Sequence, residues 1–193
     1  MTRTVFEKSD VIPLVTEVFR ELGYEGASLS KITSRTRLSK GSLYYFFPGG
    51  KDEMVAEILT HIDQWFVKNI FEPLEKNEPR EAIDHMWQEV DTYFQSGQRI
   101  CLIGAFALDG TRDRFATVIQ QYFIRWIEAL SAALVQTGIS KETANQLSEE
   151  IIASIQGALV LSRALNDESF FERTLANLSQ RVSTYVSKSN SGH

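Results

Sequence analysis

Residues Ser39–Met54 read SKGSLYYFFPGGKDEM: a polar lead-in, four consecutive aromatics (Tyr44, Tyr45, Phe46, Phe47), a Pro-Gly-Gly break at 48–50, and a lysine just beyond it. Ser39 is a residue type that caps helices, and Pro48 disfavours helical backbone at Phe47, so the stretch predicts a short helix over Lys40–Phe46. At about 100° per residue, Leu43, Phe46 and Phe47 share one side while Gly41, Ser42, Tyr44 and Tyr45 share the other. Burial of three apolar side chains at roughly 1.5–3 kcal/mol each explains the inner side. It leaves the outer side, with two tyrosines, a serine and a glycine, unexplained.

The neighbourhood supplies a reason. A helix over Leu29–Thr36, capped by Ser28, precedes the aromatic helix, and a helix–short turn–helix with basic edges matches the DNA-binding helix-turn-helix, here over about residues 28–47. Lys40 stands at the start of the second helix, within reach of a phosphate. Gly41 has no side chain, which lets the backbone approach a base edge or sugar. Ser42, Tyr44 and Tyr45 can donate hydroxyls to phosphates, and the tyrosine rings can meet thymine methyls. Past the break, free backbone N–H groups opening the next helix, together with Lys51, are expected to form a second phosphate clamp. Charge agrees. The chain carries a net −5, yet residues 26–51 hold five basic residues and no acid, the pattern of a segment with an anionic partner.

The remaining chain reads as helix throughout. A first helix is expected from about Ser9–Asp10, placed there so that Pro13 falls in the first turn, with Gly23 as its stop. The fourth helix is expected over Lys51–Phe71, ended by Pro73. Ile83, Met86, Trp87, Val90 and Phe94 mark a fifth, stopped near Gly97, followed by a short apolar piece, CLIGAFAL, that ends at Asp109-Gly110. A long helix through Phe115, Tyr122, Trp126 and Leu134 reaches Gly138. Another starts at Ser140, and a last one at Ser169, where Ser169-Phe170-Phe171-Glu172 has the capping-box pattern. The polar tail from Ser187 to His193 is expected to fray. About nine helices and no strand make the fold class all-α.

The order FRELGYEGAS, SKGSLYY, FPGGK resembles the DNA-binding region of the TetR family of transcriptional regulators, in particular the branch with an F-P-G-G-K joint after the recognition helix. The resemblance covers roughly the first third of the chain. It implies a three-helix DNA-binding domain over 1–51 and a helical ligand-binding and dimerisation domain over 52–193. The DNA-facing set is then Ser28, Thr33, Arg37, Lys40, Gly41, Ser42, Tyr44, Tyr45 and Lys51. Trp65, Trp87, Phe94, Cys101, Phe106, Tyr122 and Trp126 are expected to line an effector pocket, since aromatics with a few polar groups suit a small-molecule site. The last two helices are expected to pair across a two-fold axis through Ile151, Ile152, Ile155, Leu159, Phe171, Leu175, Leu178 and Val182. Two departures stand out: Thr33, Thr36 and Arg37 occupy positions where the family has small residues and a turn glycine, and Phe46 stands where it often has histidine.

The implied function is a cytoplasmic, homodimeric repressor, released from a pseudo-palindromic operator by a small apolar ligand. The alternatives are an activator, or a helical ligand-binding or interaction protein without DNA binding. Catalysis finds no support. Gly49-Gly50-Lys51 is no P-loop, because Tyr45 and Asp52 occupy the positions that need glycine and Ser or Thr. No G-x-G-x-x-G or nucleophile signature occurs, and His61, His85 and His193 lack ligand spacing with Cys101 or with paired carboxylates. No metal or cofactor is therefore expected. Cys101 reads as a small buried hydrophobe, or as a thiol sensor with Arg99 nearby and no resolving partner. The N-terminus lacks an apolar run of the kind a signal peptide needs, and no stretch approaches the ~18 apolar residues of a membrane span.

Overall fold

The computed structural model describes residues 7–190, every regular element of which is helical. Its elements are α1 (Lys8–Gly26), α2 (Leu29–Thr36), α3 (Lys40–Phe46), α4 (Gly50–Phe66), a π-helix (Val67–Phe71), α5 (Glu72–Lys76), α6 (Pro79–Phe94), α7 (Leu102–Ala107), α8 (Arg112–Gln136), α9 (Lys141–Leu165) and α10 (Ser169–Asn190). Since α4, the π-helix and α5 run on without a break, the described residues make nine helices when those three count as one. His193 and the end of the polar tail lie outside the described residues, and α10 continues as helix to Asn190. No described helix is long and apolar enough to cross a membrane. The chain divides into two compact units.

The first unit holds residues up to 64 and 102–119. Val15, Phe19, Ile32, Leu43, Phe47, Ile58 and Leu59 are fully buried in it, and Phe106 of α7 meets Phe19 edge-on, centroids 6.5 Å apart. Local signals set its boundaries. Ser28 Oγ accepts from the Lys31 N–H at 3.3 Å and Ser39 Oγ from the Ser42 N–H at 3.0 Å, so both expected caps are in place. Helix α1 starts at Lys8, which puts Pro13 beyond the first turn. Ser9 and Pro13 are both exposed, so water can solvate the carbonyl that the missing proline N–H leaves unclaimed. The helix breaks at Gly23 (φ 67°, ψ 178°) and one further turn carries it to Gly26.

The second unit holds residues 65–101 and 120 onward. Pro73 does not end the helix as expected. A proline in α-register would clash with the carbonyl four residues back, and the chain escapes by widening into a π-turn in which the Glu72 N–H reaches the Val67 carbonyl. The side-chain amide of Asn69 donates to the Trp65 carbonyl at 2.7 Å. Glu78 caps α6 by accepting from the Glu81 N–H at 2.9 Å, with Pro79 as its first residue. Beyond Phe94, Gln95, Ser96 and Gly97 all take positive φ, and a Cβ on Gly97 would lie 2.5 Å from the Phe171 Cβ. Ser140 caps α9 as expected. Ser169 does not cap α10: it lies inside the first turn, and its hydroxyl donates to Asp167 at 2.6 Å. Arg173 holds the same carboxylate at 2.9 Å, which draws Ser169 away from a capping role.

Candidate nucleic-acid interface

Helix α3 presents the outer side that its sequence implies. Tyr44 is 49% exposed and Tyr45 80%, while Leu43 and Phe47 are fully buried. Phe46 departs from expectation: it sits at the last position of the helix, only partly buried, and turns its ring edge-on to Tyr45 at 5.2 Å. Lys40, Gly41, Arg37, Ser28 and Ser39 are exposed; Thr33 and Ser42 are half-buried, and the Ser42 hydroxyl lies 2.9 Å from that of Ser39. Adding a Cβ at Gly41 would bring it no closer than 3.7 Å to the Ser39 hydroxyl, so packing within the chain does not demand glycine there.

Arg37 closes α2 in the left-handed conformation, φ 59° and ψ 16°, at a cost of about 1–2 kcal/mol for a side-chain-bearing residue. Thr36 offsets part of that strain. Its hydroxyl donates to the Ile32 carbonyl at 2.7 Å and accepts from the Leu38 N–H at 3.3 Å, fixing the turn that glycine would otherwise make. Arg35 is ion-paired to Glu21. Among the described residues Lys31, Arg37 and Lys40 make no ion pair, so their charges face solvent unneutralised.

The joint after α3 is wired differently from the expected open clamp. Gly49 N–H donates to Glu53 Oε2 at 2.7 Å, and Gly50 N–H to the Phe47 carbonyl at 2.9 Å. Both donors are thus committed within the chain. The bond from Gly49 is the main influence holding the Glu53 carboxyl below its ordinary range, and Lys8, 3.3 Å away, adds to it. Lys51 donates to the Tyr24 carbonyl at 2.7 Å and lies 4.1 Å from the Tyr24 ring centre.

Around Tyr24 lies a cluster that sequence reading does not find. The Tyr24 hydroxyl donates to Asp52, and Arg114 donates to both at 3.0 Å. The hydrogen bond from Tyr24 is the main cause that lowers the Asp52 pKa, with Arg114 next among the favourable ones. Burial, then Asp52, raises the Tyr24 phenol. The participants stand 28 and 62 positions apart along the chain, so no local spacing announces them.

The expected effector residues divide between places. Trp65, Phe94, Tyr122 and Trp126 meet around Phe66, whose ring centre lies 5.2, 6.2, 5.0 and 5.2 Å from theirs. Phe66, Phe71 and Tyr93, absent from the sequence-based set, complete this closed cluster. Trp87 instead lines an open groove of about 360 Å³ with Asp91 of α6 and Glu172 and Leu175 of α10. Phe106 belongs to the first unit, against Phe19. Cys101 is buried just before α7. All eight residues expected at a subunit interface, from Ile151 to Val182, are buried inside their own chain, because α9 and α10 pack those stripes against their own unit. The large apolar side chains left exposed on α9 are Val160, Leu161 and Leu165.

Comparison with known proteins gives this arrangement its context. The family model described as bacterial regulatory proteins, tetR family, matches residues 16–58, and that of the LmrA/YxaF-like transcriptional regulator C-terminal domain matches residues 79–177. The uncharacterised HTH-type transcriptional regulator YxaF of Bacillus subtilis is 27% identical over 88% of this chain and 91% of its own. HTH-type transcriptional regulator LmrA of the same organism is 26% identical over 80% and 85%. In fold, a TetR transcriptional regulator from Legionella pneumophila superposes with a TM-score of 0.78 at 21% identity, covering 93% of this chain and 99% of that one. The TetR family regulator CifR, as a cysteine mutant complexed with a 26-bp double-strand operator DNA, does so with 0.70 at 23%, covering 95% and 99%. With the two family models following one another along the sequence, and the second spanning just over half of it, the chain belongs to the TetR family of helix-turn-helix transcriptional regulators.

Proposed function

We propose that the protein is a cytoplasmic homodimeric repressor, of the branch with the F-P-G-G-K joint, that leaves a pseudo-palindromic operator when a small apolar effector binds. DNA binding is assigned to residues 1–51, effector response and dimerisation to 52–193. The observation that carries the DNA side is the outer surface of α3: exposed Tyr44 and Tyr45, exposed Lys40, and a glycine between them that internal packing does not require. Lys40 and Arg37 would take phosphates, Tyr44 and Tyr45 base edges or sugar, and Ser28, Thr33 and Ser42 further backbone oxygens. Lys51 would keep its bond to Tyr24 and offer a phosphate its remaining ammonium protons.

Dimerisation is proposed through the exposed apolar residues of α9, Val160, Leu161 and Leu165, with Gly157 on the same helix, where an added Cβ would meet nothing in its own chain. Two-fold symmetry would let two α3 helices meet half-sites about one helical turn, roughly 34–36 Å, or a multiple of it, apart. Effector release would work by population shift, since a ligand moves the equilibrium only by its differential affinity for the two states. The test is selection of bound duplexes from a random pool by the purified chain. An enriched inverted repeat is the expected result; a pool that stays random at low salt would overturn the reading.

A further inference from the structure

Trp126 is 0% exposed, and its indole N–H has no hydrogen-bond partner among the described residues. Indole nitrogen is a donor only, so it cannot be satisfied except by an acceptor. A buried donor left bare is destabilising, and such groups in folded proteins call for a specific explanation. The ring's neighbours are Phe66, Tyr122 and Phe71, with centres 5.2, 5.9 and 6.5 Å away. Phe71 is carried on the π-helix, a rare backbone form that recurs at functional sites. Arg125, held by Glu75 at 3.2 Å, lies over the Phe71 ring at 5.4 Å.

We infer that this cluster is the effector site in its closed form, and that the effector is an uncharged, largely aromatic molecule whose carbonyl-type oxygen accepts the Trp126 N–H. The inference rests on the reading of the chain as a ligand-responsive regulator and names the chemistry of that ligand. Each part follows from the rings packed around Trp126 and from its unpaired N–H. Aromatic walls favour a flat apolar body, stacked or edge-on. A charged ligand would lose its hydration without gaining a counter-charge from these rings. An acceptor, by contrast, pairs with a donor that gives up no protein bond to receive it. Specificity then lies in one oxygen, because a shape-matched molecule without it leaves the N–H bare.

The test uses the full chain and two matched pairs of probes: acetophenone against α-methylstyrene, and benzophenone against 1,1-diphenylethylene. In each pair a carbonyl oxygen replaces a methylidene group of similar shape. The ketone of at least one pair should bind roughly fivefold to tenfold more tightly, the return on one neutral hydrogen bond. It should also move one of the three indole N–H resonances downfield, and Trp126→Phe should lack that resonance and bind both partners alike. Equal binding within each pair by the unmodified chain, a ketone preference that survives Trp126→Phe, or no binding of any probe would overturn the inference. The first comparison needs no variant, so it remains decisive even where Trp126→Phe folds poorly. Duplex binding across a salt series is measured on the same samples. Intact salt-dependent binding without a ketone preference sinks this inference alone, whereas its absence sinks the regulator reading as well.

Discussion

Lys40 and Lys51 flank α3 with the same charge, and their surroundings separate them. Lys40 is exposed and makes no ion pair among the described residues; Lys51 is half-buried, bonded to the Tyr24 carbonyl and set over its ring. On the proposed function, Lys40→Ala should weaken binding to all duplexes and lower the salt slope by about one, with the melting temperature unchanged. Lys51→Ala should lower both affinity and melting temperature, because an ammonium over an aromatic face and on a carbonyl is worth roughly 0.5–2 kcal/mol. Thermal melts beside salt-dependent titrations check both outcomes, and equal melting points would show that Lys51 does not brace Tyr24. Gly41 should behave in the opposite sense. Alanine there fits the chain and favours helix by up to about 1 kcal/mol, so Gly41→Ala should melt higher while binding operator more weakly. Residue-scale legibility follows the range of the signal. A helical wheel suffices to place Tyr44, Tyr45 and Lys40, whereas Phe46 is half-exposed because the helix ends at it and no next turn covers its ring.

Capping serines show what elements reveal about themselves. Ser28, Ser39 and Ser140 each bond an N–H three residues on, a contact that needs no tertiary information. Ser169 carries the same signature and fails, since Asp167 and Arg173 compete for it. The π-helix is illegible for a different reason: a 3.6-residue period has no place for a wide turn, and proline reads as a stop. Its cost is met locally by the Asn69 amide on the Trp65 carbonyl, so Asn69→Ala should destabilise the chain by about 1 kcal/mol in denaturant titration. A pH effect belongs to the element that begins at Gly50. The Asp52 carboxyl is held below its unfolded value, so its stabilising contribution is present at neutral pH and is lost as pH falls through the folded value. Denaturation midpoints should therefore drop below about pH 4 in the unmodified chain, and Asp52→Asn should flatten that acid limb.

For the whole molecule, class and chain order are readable from sequence, and the partition of apolar surface between interior and interface is not. Helix α9 is apolar around much of its girth, and a sequence stripe does not say which side a neighbouring helix of the same chain will cover. Ile155 and Leu159 are interior, while Val160 and Leu165 are each 60% exposed. Substitutions on the two sides should diverge. Leu161→Glu is expected to yield folded monomers in size-exclusion chromatography with light scattering, whereas Ile155→Glu should unfold the chain, since a buried unpaired carboxylate is not tolerated. Both variants eluting as folded dimers would place the subunit contact elsewhere. The exposed strip on α9 also has a genetic meaning. If the subunits pair there as proposed, a copy with damaged DNA contacts would still pair with an intact one and leave it a single reading head. In a cell making equal amounts of both, such alleles would be dominant: on random pairing only about a quarter of the assemblies would keep two sound heads, and the normal gene product would be largely silenced by its own defective twin.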